Sequence, residues 1–261
     1  RISDKSLSRY KLLKNYLKSL FLYITKFYMQ SEEDSKRIVE IGALKKRVET
    51  LGNIKFDIKF PEYTEQEKEE LIRFFSVDGR KVFTAGSSRT GEYEVLLDTF
   101  KKLKNTLLIL VPRHIERTPQ VEEIIKQYGF SYKKFSDIEK GKNEKADIII
   151  VDKIGLLRKI YSITDVAFVG GTLVNIGGHS LLEPLFYGKT PIFGPYLQNV
   201  KEISNEILQL QLGYKVNNSS EFLTAIDKVE QNQNRSKEKI KNLFEKNSQI
   251  TDKIIEKIKN L

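Results

Sequence analysis

Four short segments of this chain carry residues able to hold an anion or a nucleotide. The first is Gly86-Ser87-Ser88-Arg89-Thr90-Gly91, which follows the apolar run at 81–85. Glycine lets the backbone approach a ligand, Ser87 and Ser88 offer hydroxyls, and a helix opening after the loop would turn its positive end toward it. A tight turn with a helix N-cap fits the same residues. The second is Pro112-Arg113-His114, after a strand-like run at 106–111. A guanidinium so placed can fork onto a phosphate or carboxylate, although a surface ion pair would also explain it, and His114 suits a loop cap equally well. The third is Asp152-Lys153-Ile154-Gly155, where Gly155 could offer backbone N–H groups to a base or ribose, or serve as an ordinary turn. The fourth runs from Gly170 to Pro184 and includes Gly171, Thr172, Gly177, Gly178, His179, Ser180, Leu181, Leu182 and Glu183. Four glycines within nine residues are costly unless backbone must come close to something. Glu183 could accept ribose hydroxyls while N–H groups of the same turn hold an anion. A Ser180–Glu183 capping box fits those two residues but leaves the glycines unexplained.

Several chemistries are excluded. Neither glycine loop ends in Gly-Lys-Ser/Thr, so there is no Walker A motif, and no GxGxxG leads to an acid on the following strand. There is no cysteine, only two histidines and no Asp-x-Asp cluster, so no thiolate site, no metal site and no cofactor are expected. One nucleotide with one or two anionic groups fits best.

The elements that must position these loops read as an α/β alternation. The 261 residues are 39% hydrophobic and 31% charged, an ordinary globular composition. Short apolar strands at 81–85, 106–111, 130–135, 147–151, 165–169, 190–193 and 214–216 alternate with helices, which implies a parallel sheet covered on both faces. Residues 62–230 are therefore expected to form a Rossmann-like domain, with 1–51 as the tail of another α/β unit and 52–61 as a linker. A C-terminal helix is expected within 231–261, spanning 235–259, and another over 5–26. Helices are also expected to open at 92 and 180, with a loop at 136–146.

The net charge of +10 is unevenly placed. Residues 1–30 carry +6 and residues 231–261 carry +4, so the stretch between them is neutral. A nucleic-acid binder would suit the total, but the motifs lie in the neutral stretch and none is a known nucleic-acid motif. No run of about 18 apolar residues exists, and residues 1–20 have no continuous apolar core. Residue 1 is Arg and the only methionine is Met29, so an N-terminally truncated chain is expected.

Together the motifs resemble one family. Thr84-Ala85-Gly86-Ser87, the run Ile109 to Arg117 containing Pro112-Arg113-His114, Phe168-Val169-Gly170-Gly171-Thr172-Leu173-Val174 and Gly177 to Pro184 closely resemble the 3-deoxy-D-manno-octulosonic acid (Kdo) transferases. Gly52 to Asp57 and Gly194-Pro195 extend the match over nearly the whole chain. The resemblance implies a GT-B fold, with two Rossmann-like domains and an active site in the cleft between them. The chain would hold a complete C-terminal donor domain and the end of an N-terminal acceptor domain. It would lack the acceptor-lobe glutamate thought to act as general base.

The implied activity is transfer of Kdo from CMP-Kdo to a lipid A precursor in lipopolysaccharide synthesis. By the same resemblance, Pro112 and Arg113, the loop Ile154-Gly155-Leu156 and the segment Ser180 to Glu183 contact CMP, while Lys55 stabilises charge in the transition state. Ser180 stands where the family usually has Asn, and Leu156 where many members have Glu. The implied partners are CMP-Kdo, the lipid A precursor and a membrane surface, with no nucleic acid. The implied location is the cytoplasmic face of the bacterial inner membrane, bound peripherally or anchored through the missing N-terminal part. The basic, Leu-rich residues 1–30 suit an anionic lipid face, and equally an amphipathic helix packed on its own domain. The alternatives are a donor-binding but catalytically incomplete fragment, or another GT-B nucleotide-sugar enzyme such as an epimerase.

Overall fold

The computed structural model describes every residue except Arg1, Ser3, Lys59, Asn143 and Leu261. In chain order the elements are α1 (Asp4–Leu12), α2 (Lys14–Phe21), β1 (Phe27–Met29), α3 (Glu32–Glu40), β2 (Val48–Thr50), α4 (Glu65–Phe74), β3 (Lys81–Ser88), α5 (Tyr93–Phe100), β4 (Thr106–Pro112) and α6 (Thr118–Gln127). There follow β5 (Tyr132–Lys134), α7 (Phe135–Glu139), β6 (Ile148–Ile150), α8 (Leu157–Ile163), β7 (Val166–Val169), α9 (Leu182–Phe186), β8 (Pro191–Phe193), α10 (Lys201–Gln209), β9 (Tyr214–Lys215), α11 (Ser219–Gln231), α12 (Gln233–Lys246) and α13 (Ile250–Lys259). The chain forms two compact units, one of Arg1–Lys59 with Asn242–Leu261 and one of Phe60–Lys241.

The larger unit is built on a seven-stranded sheet in the order β5-β6-β4-β3-β7-β8-β9, with every pairing parallel. Strand side chains alternate between two apolar layers, as a period of two requires. Phe83, Leu108, Leu110, Ile148, Ile150 and Phe168 enter one layer, with Leu96 and Leu97 of α5, Val121 of α6 and Phe222 of α11. Val82, Leu107, Ile109, Ile149 and Val151 enter the other, with Leu71 of α4, Phe135 of α7 and Ile160 of α8. This two-sided burial explains why the strands read as unbroken apolar runs.

The chain leaves β3 toward β4 on one side and leaves β7 toward β8 on the other. In open α/β sheets ligands bind in the crevice beyond the carboxyl ends of the strands at such a switch point, here between β3 and β7. Two glycines make the close strand packing there possible. A Cβ at Gly86 would collide with the hydroxyl of the buried Tyr161, and one at Gly170 would collide with the Ser87 carbonyl.

The smaller unit pairs β1 with β2 in parallel. Ile38, Ile41 and Ala43 form its core, with Leu7, Leu17, Phe21, Phe27 and Val48 packed around them. Ser31 caps α3 by accepting the Asp34 N–H at 3.1 Å. The C-terminal residues fold back onto this unit. The Asp57 carboxylate accepts the N–H groups of Gln249 (2.9 Å) and Thr251 (2.7 Å), satisfying the start of α13 from 192 and 194 residues away.

Several expectations need correction. The helix expected over 5–26 is two helices, broken where the Leu13 N–H bonds the Tyr10 carbonyl in a three-residue turn. The helix expected over 235–259 is also two, α12 and α13, with Gln249 in the left-handed region at φ 60°. Within the expected linker 52–61, Ile54–Asp57 forms a 3-10 turn whose Phe56 is buried and meets the Phe244 ring edge-on at 6.2 Å. The loop expected at 136–146 begins inside α7, whose Phe135 and Ile138 are anchored in the core.

Candidate functional site

At the switch point lies a buried carboxylate. Glu92 caps α5 in sequence, and its side chain is fully buried. Oε2 accepts the N–H groups of Arg89 (2.8 Å) and Gly171 (3.0 Å), and Oε1 those of Thr172 (3.0 Å) and Leu173 (2.9 Å). Burial pushes this carboxyl upward, against four N–H groups that each favour the ionised form. All four partners only donate, so a proton on either oxygen would face an N–H, and the cage fits the carboxylate. The loop after β3 and the loop after β7 are thereby tied together.

Thr172 continues the knot. It is fully buried, its hydroxyl donates to the Val169 carbonyl (2.6 Å), and it accepts the Gly194 N–H (2.8 Å), joining β7 to the end of β8. Both hydroxyl functions are engaged inside the fold. Gly171, Gly177 and Gly178 take φ of 70°, 102° and 84°, a region that side chains disfavour. The path of the glycine segment is fixed by Asn199, whose amide donates to the carbonyls of Ile176 (3.1 Å) and Gly178 (3.4 Å). The glycines therefore shape the loop as well as baring its backbone.

Three loops bring cations and imidazoles to the crevice. Arg89 is half-buried and donates from Nη1 to His114 Nε2 (2.8 Å) and from Nε to His179 Nε2 (3.3 Å). A guanidinium has no acceptor, so both Nε2 atoms accept. Nδ1 of His114 lies 3.0 Å from Glu116 Oε1. His179 is held down to about 4 from an ordinary 6.5, by burial first and then by the charges of Arg89, Arg113 and His114. It is neutral at physiological pH. The Arg113 N–H donates to the Ser88 carbonyl (3.0 Å), which locks the start of its loop to β3. Its side chain is exposed, and its guanidinium makes no hydrogen bond or ion pair among the described residues.

The structure thus gathers Arg113, His114, Gly171 and His179, and Pro112 ends β4 as a buried residue beside them. Other expected residues lie differently. Gly86 and Ser87 belong to β3 rather than to a loop, because the strand runs on to Ser88 past an irregularity at Ser87, which has φ 54°. Leu181 and Leu182 are core side chains. Ser180 is exposed, α9 starts only at Leu182, and its N-cap Leu181 makes no side-chain cap bond, so the Ser180–Glu183 capping box is not formed. Glu183 instead pairs with Arg158 (3.4 Å), whose guanidinium sits 4.8 Å from the Phe60 ring centroid. Ile154 is 82% exposed beside Gly155, while Leu156 packs against the apolar layer under α8. Lys55 is exposed on the smaller unit, its N–H donating to Asn53 Oδ1 (3.1 Å). Reading of the sequence missed Glu92 and the side-chain role of Arg89. An acid in a first helical turn looks like ordinary dipole compensation. Its partners at the second loop lie 79 to 81 residues away.

Comparison with known proteins starts from residues 1–58, which match the family described as 3-deoxy-D-manno-octulosonic-acid transferase (kdotransferase). The 3-deoxy-D-manno-octulosonic acid transferase of Aquifex aeolicus is 35% identical over 205 residues, 77% of this chain and 52% of that protein. The chain is thus similar to Kdo transferases over most of its own length. A bifunctional glycosyltransferase/methyltransferase of Fusobacterium nucleatum is 54% identical over 98% of this chain, which spans 40% of that relative. The chain thus covers about half, or less, of the length of these relatives. The C-terminal CMP-Kdo binding domain of WaaA from Acinetobacter baumannii superposes with a TM-score of 0.60 at 21% identity, over 73% of this chain and 98% of that one. The fold they share is α/β of the GT-B type.

The Glu92 cage can be tested directly. Glutamine at 92 keeps the size but offers one carbonyl oxygen to four N–H groups and turns its own NH2 toward the rest. Glu92→Gln is expected to lower the unfolding free energy by roughly 3 kcal/mol. The readout is a lower urea midpoint at unchanged slope. An unchanged midpoint would show that the cage does not hold the loops.

Proposed function

We propose that the crevice between the ends of β3, β4 and β7 binds CMP-Kdo, and that this protein transfers Kdo to a lipid A precursor, lipid IVA, in lipopolysaccharide synthesis. The observation that carries the donor reading is Arg113. Its guanidinium is unpaired among the described residues, at a strand end beside His114 and His179. An exposed fork of donors at a topological switch point suits a phosphate. The names of the relatives supply the sugar and the nucleotide.

The step is a direct displacement. The acceptor hydroxyl oxygen bonds to the anomeric carbon of Kdo as the bond from that carbon to the phosphate oxygen breaks. CMP leaves with the bonding pair, the configuration inverts, and the hydroxyl proton passes to a base. Arg113 offsets the charge that grows on the phosphate. Lys55 is assigned the same role through the family resemblance, and no residue of this chain is nominated as the base. The step as written uses no metal and no cofactor. These 261 residues are proposed to supply donor binding.

The acceptor side is assigned to the smaller unit. In α1, α2 and the turn after them, Leu12 (87%) and Tyr23 (89%) are largely exposed, as are Leu13 and Tyr16, while Leu7, Leu17 and Phe21 pack against the core. Lys14, Lys18 and Lys26 lie among the exposed residues. Such a surface suits the interface of an anionic lipid bilayer, here the cytoplasmic face of the inner membrane.

CMP is expected to bind the chain in calorimetry, and Arg113→Ala to weaken it about tenfold or more. Failure of the folded, unmodified chain to bind CMP would contradict the donor assignment. The chain is also expected to sediment with phosphatidylglycerol-containing vesicles and not with pure phosphatidylcholine. Leu12→Glu with Leu13→Glu should release it, and equal sedimentation by the double variant would remove the membrane assignment.

A further inference from the structure

We infer that Arg89 recognises the carboxylate of the donor sugar, separately from the phosphate. This inference rests on the donor reading above. The sugar of such a donor is a 2-keto-3-deoxy acid linked to the nucleotide phosphate through its anomeric carbon. That same carbon bears the carboxylate, so the donor presents two anionic groups side by side.

The crevice presents two guanidiniums side by side. The Arg113 N–H bonds the carbonyl of Ser88, the residue before Arg89, so the two side chains leave adjoining points of paired strands. Both positive charges press on the same His179 ring. Two like charges converging on a neutral imidazole repel each other, and nothing among the described residues pairs with either side chain as an acid. A ligand with two adjacent anions relieves that repulsion; a ligand with one anion relieves half of it.

The two arginines differ in how they are held. Arg113 is exposed and unfixed, which suits the nucleotide phosphate. Arg89 is half-buried, with Nε and Nη1 bound to two imidazoles and its backbone N–H bound to the Glu92 carboxylate. Its Nη2 group has no partner among the described residues. A guanidinium fixed in plane, with Nη2 left open, meets a carboxylate oxygen in one orientation. His114 and His179 accept from Arg89 and so act as positioning residues. The neutral ring of His179 adds no second cation beside Arg89. Arg117 Nη1 donates to the Thr90 hydroxyl at 3.5 Å.

The test compares two probes, CMP and CMP-Kdo, in calorimetry on the whole chain, with Arg89→Gln and Arg89→Lys as variants. Both variants keep the backbone N–H that binds Glu92, and a urea midpoint confirms their fold. The unmodified chain is expected to bind CMP-Kdo more tightly than CMP. Arg89→Gln should bind CMP within about twofold of the unmodified chain and CMP-Kdo about tenfold or more weakly. Arg89→Lys should fall between, because it restores the charge without the planar fork. Equal weakening of both probes would place the phosphate on Arg89 and overturn the inference. Unchanged binding of CMP-Kdo by Arg89→Gln, or equal affinity of the unmodified chain for both probes, would overturn it as well. Binding of neither probe by the unmodified chain overturns the donor reading itself, and this inference with it.

Discussion

The Glu92 carboxylate is the point on which the site depends. Burying an ionised carboxylate costs several kcal/mol unless dipoles replace its water. Here four backbone N–H groups do so, one from the loop after β3 and three from the loop after β7. Those loops belong to neighbouring strands that the chain visits far apart in sequence. Without a shared acceptor, the glycine segment would have three inward N–H groups and no partner for them. With it, the backbone of Arg89 and the start of the glycine segment are set to one another.

From that anchor the chemistry of the crevice follows by short steps. Arg89 is held at its backbone by Glu92 and orients two imidazoles through its side chain. The imidazoles fix the guanidinium in return. His179 stays neutral because protonating it would add charge to a buried ring already facing Arg89 and Arg113. What remains unbonded among the described residues is the Arg113 fork and Nη2 of Arg89. A ligand with two adjacent anionic groups fits those open donors.

The sheet was legible in the sequence because its strands are buried on both faces. Runs such as Leu107 to Val111 and Ile148 to Val151 have no other soluble interpretation beside their turn signals. The breaks were less legible. Nothing in the composition of 5–26 marks Leu13 as a helix end, and the interruption before Ile250 depends on the distant carboxylate of Asp57. Arg113, His114 and His179 could be singled out because their types suggest anion chemistry at strand ends. Glu92 could not, since its meaning lies wholly in partners from another loop. The glycines were read as room for a ligand, yet Gly86 and Gly170 make room for Tyr161 and for the neighbouring strand. Close packing and close ligand approach leave the same residue type, and only the fold separates them.

The central claim is that the knot formed at the ends of β3, β4 and β7 is where a cytidine nucleotide binds. Amide NMR of the labelled chain during a CMP titration tests it most directly. The account predicts that the largest shifts fall on Arg113, His114 and Gly177 through Ser180, with Arg80 and Asp147 at the opposite end of the sheet unmoved. Shifts concentrated at that opposite end, or none in the crevice at saturating CMP, would contradict it.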